Sequence, residues 1–587
     1  MALHPTEVDI IFVGGGTSAS VAAGRLASAN PALEILLVEQ GPNNYQDRSV
    51  LTPSLFPTQI IPGSGHAIFW KGEESEAVNG REQTVVTGGI LGGGSSINLM
   101  IYARPASSDF DDWNTPGWSS EDLIPFLQKA RLPYLITFVV AYSPFYPTVA
   151  KEYLDACITG GIPQIDDLMD LRTGHACGRL AQYIDPLTGY RQDAAHQYIH
   201  TQSNNKGLHV LTETLVTRVL FEGTKAVGIE VVRNQGQDPD TNQSDRRIFA
   251  RKLVVMSAGA LGSSTILQRS GIGEASQLSD LSIQIVGDLP GVGKNYEDHP
   301  LCLWAYHVSE NVETYDPLME QQPEVMERYQ AEFERGKGIF TSNSAGSGSK
   351  LRPTSNELKA MGSDFNERWK NYYEVAPDKA VVIQVCVNGF VGPRSPAPEK
   401  SRFMMIGNIA TYPLSKGQIH ITGTDPYLPP KFRTGLLEEQ ADVEIQKWAY
   451  KKARECARRM RSYRGEYAPL HPKFPKDSAA ACIRLDGPPP LVEEDLIYTP
   501  EDDAAIEVFI RQMSQSTYHS CGTLPMKPEA QGGCVDPRLN VHGTTNLKVA
   551  DLSILPSNVG SPTYSIALMI GEKAAVLIAE DLGLKLP

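Results

Sequence analysis

The chain lacks any lysine- or arginine-rich run. Its 53 basic side chains face 68 acidic ones across 587 residues, a net charge of −15, so the positive footprint that nucleic-acid backbones demand is missing and no nucleic-acid partner is expected. Long apolar runs are missing too. The stretch Leu135 to Ala141 (LITFVVA) is far short of the roughly 20 residues that carry a helix across a bilayer. The opening MALHPTEVDIIFVGGG has no basic segment ahead of a long apolar one, so neither a signal peptide nor membrane insertion is expected. The eight cysteines (157, 177, 302, 386, 456, 482, 521 and 534) form no C-x-x-C pair. That spacing argues against a disulfide framework or a zinc site and for reduced thiols inside a cell. The last residues, KLP, are not an SKL-type peroxisomal address, which leaves the expected location intracellular, either cytoplasmic or peroxisomal.

What is present is an ordinary globular balance of 41% hydrophobic and 21% charged residues, on a length that predicts two or more domains. Asp9 to Gly15 reads as a buried strand, Ser18 to Asn30 as a helix of small residues, and Glu34 to Glu39 as a second strand ending in a carboxylate, which together make a βαβ unit. Strands are predicted again at Leu208 to Glu222 and Ala226 to Val232. Leu253 to Gly259 then feeds a helix over Ala260 to Arg269. Between about 305 and 530 the pattern shifts to longer polar helices and amphipathic strands such as Gln418 to Thr422, a second domain. The stretches Asn546 to Asp551 and Tyr564 to Leu582 read as a strand and a packed helix that can complete the first sheet.

Gly14, Gly16 and Ala19 satisfy the G-x-G-x-x-G/A spacing between that first strand and helix. The first glycine makes a tight turn, the second lets a pyrophosphate approach the backbone, and the small third residue packs helix on strand. The helix opening at Thr17 and Ser18 would then present amide groups to phosphate. Glu39 would accept hydrogen bonds from a ribose hydroxyl. These residues predict a dinucleotide, with FAD and NAD both open.

Further stretches close that choice by resemblance. Leu91-Gly-Gly-Gly-Ser-Ser-Ile-Asn98 followed by Tyr102-x-Arg104, Gly259 to Gly273, Leu289 to Asn295 with Asp298-His299, and His519-x-x-Gly-Thr523 with Val549-Ala-Asp551 and Gly571-Glu572 resemble the glucose-methanol-choline (GMC) flavoprotein oxidoreductases. Within them, Gly417 to Pro426, Trp448 to Lys452 and Asn558-Val-Gly560 look most like the fungal short-chain alcohol (methanol) oxidases. The resemblance implies an α/β fold: a Rossmann-like FAD-binding domain with a parallel sheet (1–304, with an insertion near 130–195), an α+β substrate domain with an antiparallel sheet (305–530), and a last segment (531–587) returning to the first domain. FAD is the implied cofactor, a small alcohol and O2 the implied partners, and no metal is implied.

By the same resemblance His519 is the catalytic base that takes the hydroxyl proton while hydride leaves for FAD, with the reduced cofactor returned by O2 to give H2O2. Gly92, Gly94 and Ser96 would lie near flavin and pyrophosphate, and Asn98, Met100 and Ile101 along the isoalloxazine. Val216 would face adenine, Ala258 the cofactor, and Asp551 its ribityl-phosphate region. Tyr518 and Thr563 complete the implied cofactor set, and Leu99 and Tyr518 wall the substrate pocket. The residues before His519 predict a helix capped by Thr499 and Pro500, ending near His519, so that its dipole favours imidazolium.

Four departures bear on that picture. Where the family has a second catalytic His or Asn, nine residues before Gly571, this chain has Pro562, which offers no side-chain donor or acceptor. Tyr518, Ser561 and Thr563 are candidate substitutes. A dehydrogenase using another acceptor, a non-redox FAD-containing lyase and a binding protein stand as alternatives. Gly89 stands where relatives carry a basic or amide residue, and Leu99 and Tyr518 stand where methylotroph oxidases carry Phe and Trp, walls that would admit bulkier alcohols. The apolar segment Arg131 to Thr148 carries no motif and reads equally as a buried strand, a lid surface or a sequence error.

Overall fold

A computed structural model describes residues 5–129, 139–234, 246–320, 322–392, 401–492 and 494–586. Glu7–Val13 is buried at every position after its first, because it runs inside a sheet covered on both faces. It pairs in parallel with Ile35–Val38 on one side and Arg246–Met256 on the other. Leu208–Leu211 extends one edge, and Leu547–Val549 also joins Arg246–Met256, which brings the last part of the chain to the first sheet. The helix between the first two strands runs Thr17–Ala29 and packs against Tyr564–Asp581 so closely that a Cβ added at Gly571 would stand 2.7 Å from the Ser18 carbonyl oxygen.

Leu208 to Glu222, expected as one strand, is two. Glu213 takes a φ of +54°, which a pleated strand cannot continue through, and the chain turns from Leu208–Leu211 into Thr214–Glu222, antiparallel to Lys225–Arg233. The parallel sheet thereby gains an antiparallel flank. The α/β class expected of the sequence is present, with a mixed first sheet where a parallel one was expected.

A second sheet has the order Tyr463–Glu466, Pro300–Val308, Phe403–Ala410, Val382–Val387, Ala345–Leu351, Ala176–Arg179, antiparallel throughout. It draws strands from both sides of residue 304. Its central strands are not amphipathic. Val382–Val387 and Phe403–Ala410 are buried at every position, because one face packs on the helix Gln440–Arg458 and the other closes a cavity. Polar alternation needs a solvated face, and these strands have none.

Of the segment 131–148, residues 131–138 lie outside the described residues. From 139 onward the chain makes a single bridge, Ala141 with Gln182, and sets Tyr142 and Tyr146 about the Arg179 guanidinium at 4.3 and 4.2 Å. No helix among the described residues is long and apolar enough to cross a membrane.

Candidate active site

Between the two sheets lies a cavity of about 1310 Å³. That exceeds the roughly 300–1,000 Å³ of a drug-sized site and leaves room for a dinucleotide with a small molecule beside it. Of the residues expected at the cofactor, Gly14, Gly16, Thr17, Ser18, Glu39, Gly94, Asn98, Met100, Ile101, Val216, Ala258, Tyr518, Asp551 and Thr563 line it, as do His519, Leu99 and Pro562.

The glycine loop behaves as its spacing dictates. Gly14 has a φ of +98°, and a Cβ there would stand 2.5 Å from the Ser257 carbonyl oxygen, so only glycine makes this turn. Gly16 caps the helix without any side-chain hydrogen bond, leaving the first-turn amides to a ligand. Glu39 accepts from the Gly15 amide at 2.8 Å and the Gly41 amide at 2.9 Å, which uses two of its four acceptor positions and leaves two for ribose hydroxyls. Burial pushes its carboxyl up to about 7 against the pull of these amides. Across the cavity a Cβ at Gly94 would meet nothing within 4 Å. An uncapped helix, a carboxylate with spare acceptors and an open glycine cradle fit an adenine dinucleotide.

Three residues expected at the cofactor are engaged with the protein itself. Gly92 and Ser96 stand behind the wall: the Gly92 amide donates to the Gly15 carbonyl, and the buried Ser96 hydroxyl donates to the Leu91 carbonyl and accepts from Asn44. They shape the loop that carries Gly94 and Asn98. Asp551 reaches the cavity, but four donors, from the Gly259 amide, the Ser263 hydroxyl and the Ser553 amide and hydroxyl, fill its acceptor positions. Its carboxylate therefore fixes the start of the helix Gly259–Arg269 and has nothing left for a ribityl hydroxyl. The Ser18 hydroxyl is similarly committed to the Ala567 carbonyl, so only its backbone is available. At Gly89 the missing side chain has a local reason: a Cβ there would lie 2.8 Å from Ile68 Cγ1.

At the other end of the cavity two histidines meet. His519 Nδ1 lies 2.9 Å from Nδ1 of His299, whose Nε2 lies 2.9 Å from the Val559 carbonyl oxygen. A carbonyl only accepts, so His299 carries its proton on Nε2 and presents a bare Nδ1. His519 must then donate from Nδ1–H, which leaves its Nε2 lone pair unprotonated. Both rings are held neutral. Burial lowers His299 to about 4, and burial followed by the neighbouring ring takes His519 well below the usual histidine value.

The buried Asp298 organises both backbones. It accepts from the His299 amide at 2.7 Å, the His519 amide at 2.9 Å, the Tyr296 hydroxyl at 3.0 Å and the Ser516 hydroxyl. Burial raises it to about 6 despite these donors. Tyr518 has a φ of +64°, and this left-handed turn, tied by its amide to Ser516, swings the next residue back toward His299. Asp298 and His299 were legible as part of a family-like stretch, yet nothing in their spacing said what they touch.

The predicted helix is present as Pro500–Met513, with Thr499 and Asp502 forming a reciprocal cap. It does not reach His519. Gln515–Ser516 leaves the helix to pair with Pro300–Leu301, so the helix dipole ends elsewhere and the expected imidazolium is replaced by a neutral ring. Pro562 and Thr563 are on the wall. Ser561 is not, and its hydroxyl is spent on the Pro562 carbonyl. The second imidazole at this site comes from His299, the residue before the strand Pro300–Val308, instead of from position 562.

Comparison with known proteins gives the following. A family model described as GMC oxidoreductase matches residues 8–301 with its amino-terminal part and 413–571 with its carboxyl-terminal part. An alcohol oxidase of Candida boidinii is 36% identical over 99% of this chain and 96% of that protein. An alcohol oxidase of Pichia angusta is 37% identical with the same coverage. Among solved structures, an FAD-dependent oxidoreductase from Chaetomium thermophilum superposes with a TM-score of 0.80 at 23% identity, covering 98% of this chain and all of that one, a likeness of fold.

Proposed function

Because this chain belongs to the GMC oxidoreductase family, we propose that it is an FAD-dependent alcohol oxidase converting a primary alcohol to an aldehyde, with His519 as the general base and O2 as the final acceptor. FAD would be held by the glycine turn and Glu39 and would supply the hydride acceptor, with O2 taking its electrons to give H2O2. The protein residues supply the rest. Hydride cannot leave an alcohol carbon cheaply unless the hydroxyl proton leaves with it, since a protonated carbonyl would otherwise form. The bare Nε2 of His519 takes that proton, and the positive charge then forming on its ring is met by His299 Nδ1 through the 2.9 Å contact. Asp298 holds the two rings in register, and Glu39 with the uncapped helix holds the nucleotide end.

The observation that carries this reading is His519 on the wall of a cavity whose far end fits a dinucleotide, with His299 behind it at 2.9 Å. In this reading residues 1–304 and 531–587 work mainly as the FAD-binding part and 305–530 as the substrate part, to which the strands Ala176–Arg179 and Pro300–Val308 are added. Pro562, a wall residue with no polar group to offer, favours a second reading in which FAD is retained without redox chemistry. One experiment separates them: anaerobic mixing of holoenzyme with a panel of alcohols, followed by flavin absorbance. Bleaching is expected with the native protein. In His519→Asn it should slow by about 10²–10⁴ with FAD content maintained. Bleaching at native rates in His519→Asn would overturn the base assignment, and no bleaching with any alcohol would favour the non-redox reading. Peroxide formed under air distinguishes an oxidase from a dehydrogenase.

A further inference from the structure

The carbonyl that fixes His299 belongs to the peptide between Val559 and Gly560, and the other end of that same peptide is held as well. Its N–H, on Gly560, donates to Asp109 Oδ2 at 2.8 Å, while its C=O accepts from His299 Nε2 at 2.9 Å. A trans peptide is a rigid plane whose N–H and C=O point opposite ways. Holding the N–H toward Asp109 therefore aims the carbonyl at the imidazole. Donation runs one way along the whole series: His519 Nδ1–H to His299 Nδ1, His299 Nε2–H to the Val559 carbonyl, and Gly560 N–H to Asp109.

The far end of the series is a buried ion pair. Asp109, on the helix Ser107–Asp112, meets the Lys379 ammonium through Oδ1 at 2.5 Å, and each side chain is only 1% exposed. Burial pushes the Asp109 carboxyl up while the ammonium pulls against it. Such a pair often gains nothing over an apolar filling of the same volume, so two charges buried here call for a reason other than stability. Lys379 also reaches Asp112 at 3.1 Å and stands 5.0 Å from the centre of the Tyr412 ring. Tyr412 in turn leans on the peptide itself: a Cβ at Gly560 would stand 2.0 Å from its hydroxyl oxygen, so only glycine admits this approach. Upstream, the Asn558 amide donates to Glu297 at 3.0 Å and the Ser557 carbonyl accepts from Trp113 Nε1 at 3.1 Å. The chain leading into the plane is thus pinned as firmly as the plane.

We propose that Asp109 is a positioning residue for His519, acting through the Val559–Gly560 peptide and His299 to keep the proton of His519 on Nδ1 and its Nε2 bare. Were the peptide to turn, His299 would lose the acceptor of its Nε2–H, and its proton could move to Nδ1. There it would face the Nδ1–H of His519, donor against donor. His519 would then have to carry its own proton on Nε2, where it can accept nothing. The proposal rests on the base reading of His519 for its consequence and on the series of hydrogen bonds for its structure.

The test uses FAD-loaded protein with two neutral replacements of the ion pair that differ in a single acceptor. Asp109→Asn/Lys379→Met keeps an oxygen for the Gly560 amide, and Asp109→Leu/Lys379→Met keeps the shape without one. Proton NMR on protein with isotope-labelled histidine reads the tautomers. Two slowly exchanging low-field ring protons, assigned by their loss in His299→Ala, are expected in the native protein and the asparagine double variant and should be lost in the leucine one. Anaerobic flavin reduction by alcohol should slow about 10- to 100-fold in the leucine variant with KM nearly unchanged, and the asparagine variant should recover most of that rate. Should the leucine variant fold poorly, Asp109→Asn alone supplies the same comparison, because its oxygen turns to Lys379 and its amide nitrogen faces the Gly560 N–H. Ring protons unchanged in the variant lacking the acceptor, or equal reduction rates with and without it, overturn the proposal. If the ring protons respond as expected while no alcohol bleaches even the native flavin, the base reading fails and the positioning assignment survives.

Discussion

Removing the His299 imidazole tests the pairing directly. In His299→Ala the Nδ1–H of His519 loses its acceptor at 2.9 Å, and the Val559 carbonyl loses its donor. Two consequences follow. The His519 ring becomes free to exchange tautomers and to turn, and the charge that forms on it during proton uptake is no longer met by a hydrogen bond. A hydrogen bond to such a group is worth about 1.5–3 kcal/mol, roughly 10- to 150-fold in rate. The orphaned Val559 carbonyl adds about 1–3 kcal/mol of lost stability, read independently by urea unfolding. Stopped-flow reduction at saturating alcohol should therefore slow by one to two powers of ten with little change in KM, since His299 is behind the cavity wall and touches no substrate. His299→Gln, whose amide can donate to Val559 and accept from His519, should recover most of the rate. A His299→Ala enzyme that reduces its flavin within threefold of the native rate would refute the tautomer argument, as would a glutamine variant no better than alanine.

Asp298→Asn leaves the shape of the site but replaces an acceptor of four donors by a group that accepts at one atom and donates at the other. Stability should fall by about 2–4 kcal/mol, measured in urea, and the loop carrying His519 should lose order. The Glu39 carboxyl, raised to about 7 by burial, is partly protonated at neutral pH in the protein free of FAD, and ribose hydroxyls donating to it favour the ionised form. Binding then expels a proton below pH 7, so FAD affinity should weaken as pH falls through 7, by up to tenfold per pH unit. Glu39→Gln should flatten this dependence in a fluorescence titration between pH 5.5 and 8.

Much of the nucleotide end was legible from residues 9 to 39, because a glycine turn, a helix start and a terminal carboxylate are consecutive in the chain and the backbone alone sets their geometry. The capped helix Pro500–Met513 was legible for the same reason, its signals being local. Legibility failed where partners are distant in sequence. Asp551 was expected near the cofactor and does line the cavity, but the donors that fill its oxygens include Gly259 and Ser263, 292 and 288 positions away.

By itself, then, the sequence determined the parallel sheet and its phosphate turn, since each follows from neighbours a few positions apart, while His519 was singled out by family resemblance. Only the folded chain decided which nitrogen of His519 is bare, because that depends on His299 meeting it across 220 positions and on Val559 meeting His299 across 260.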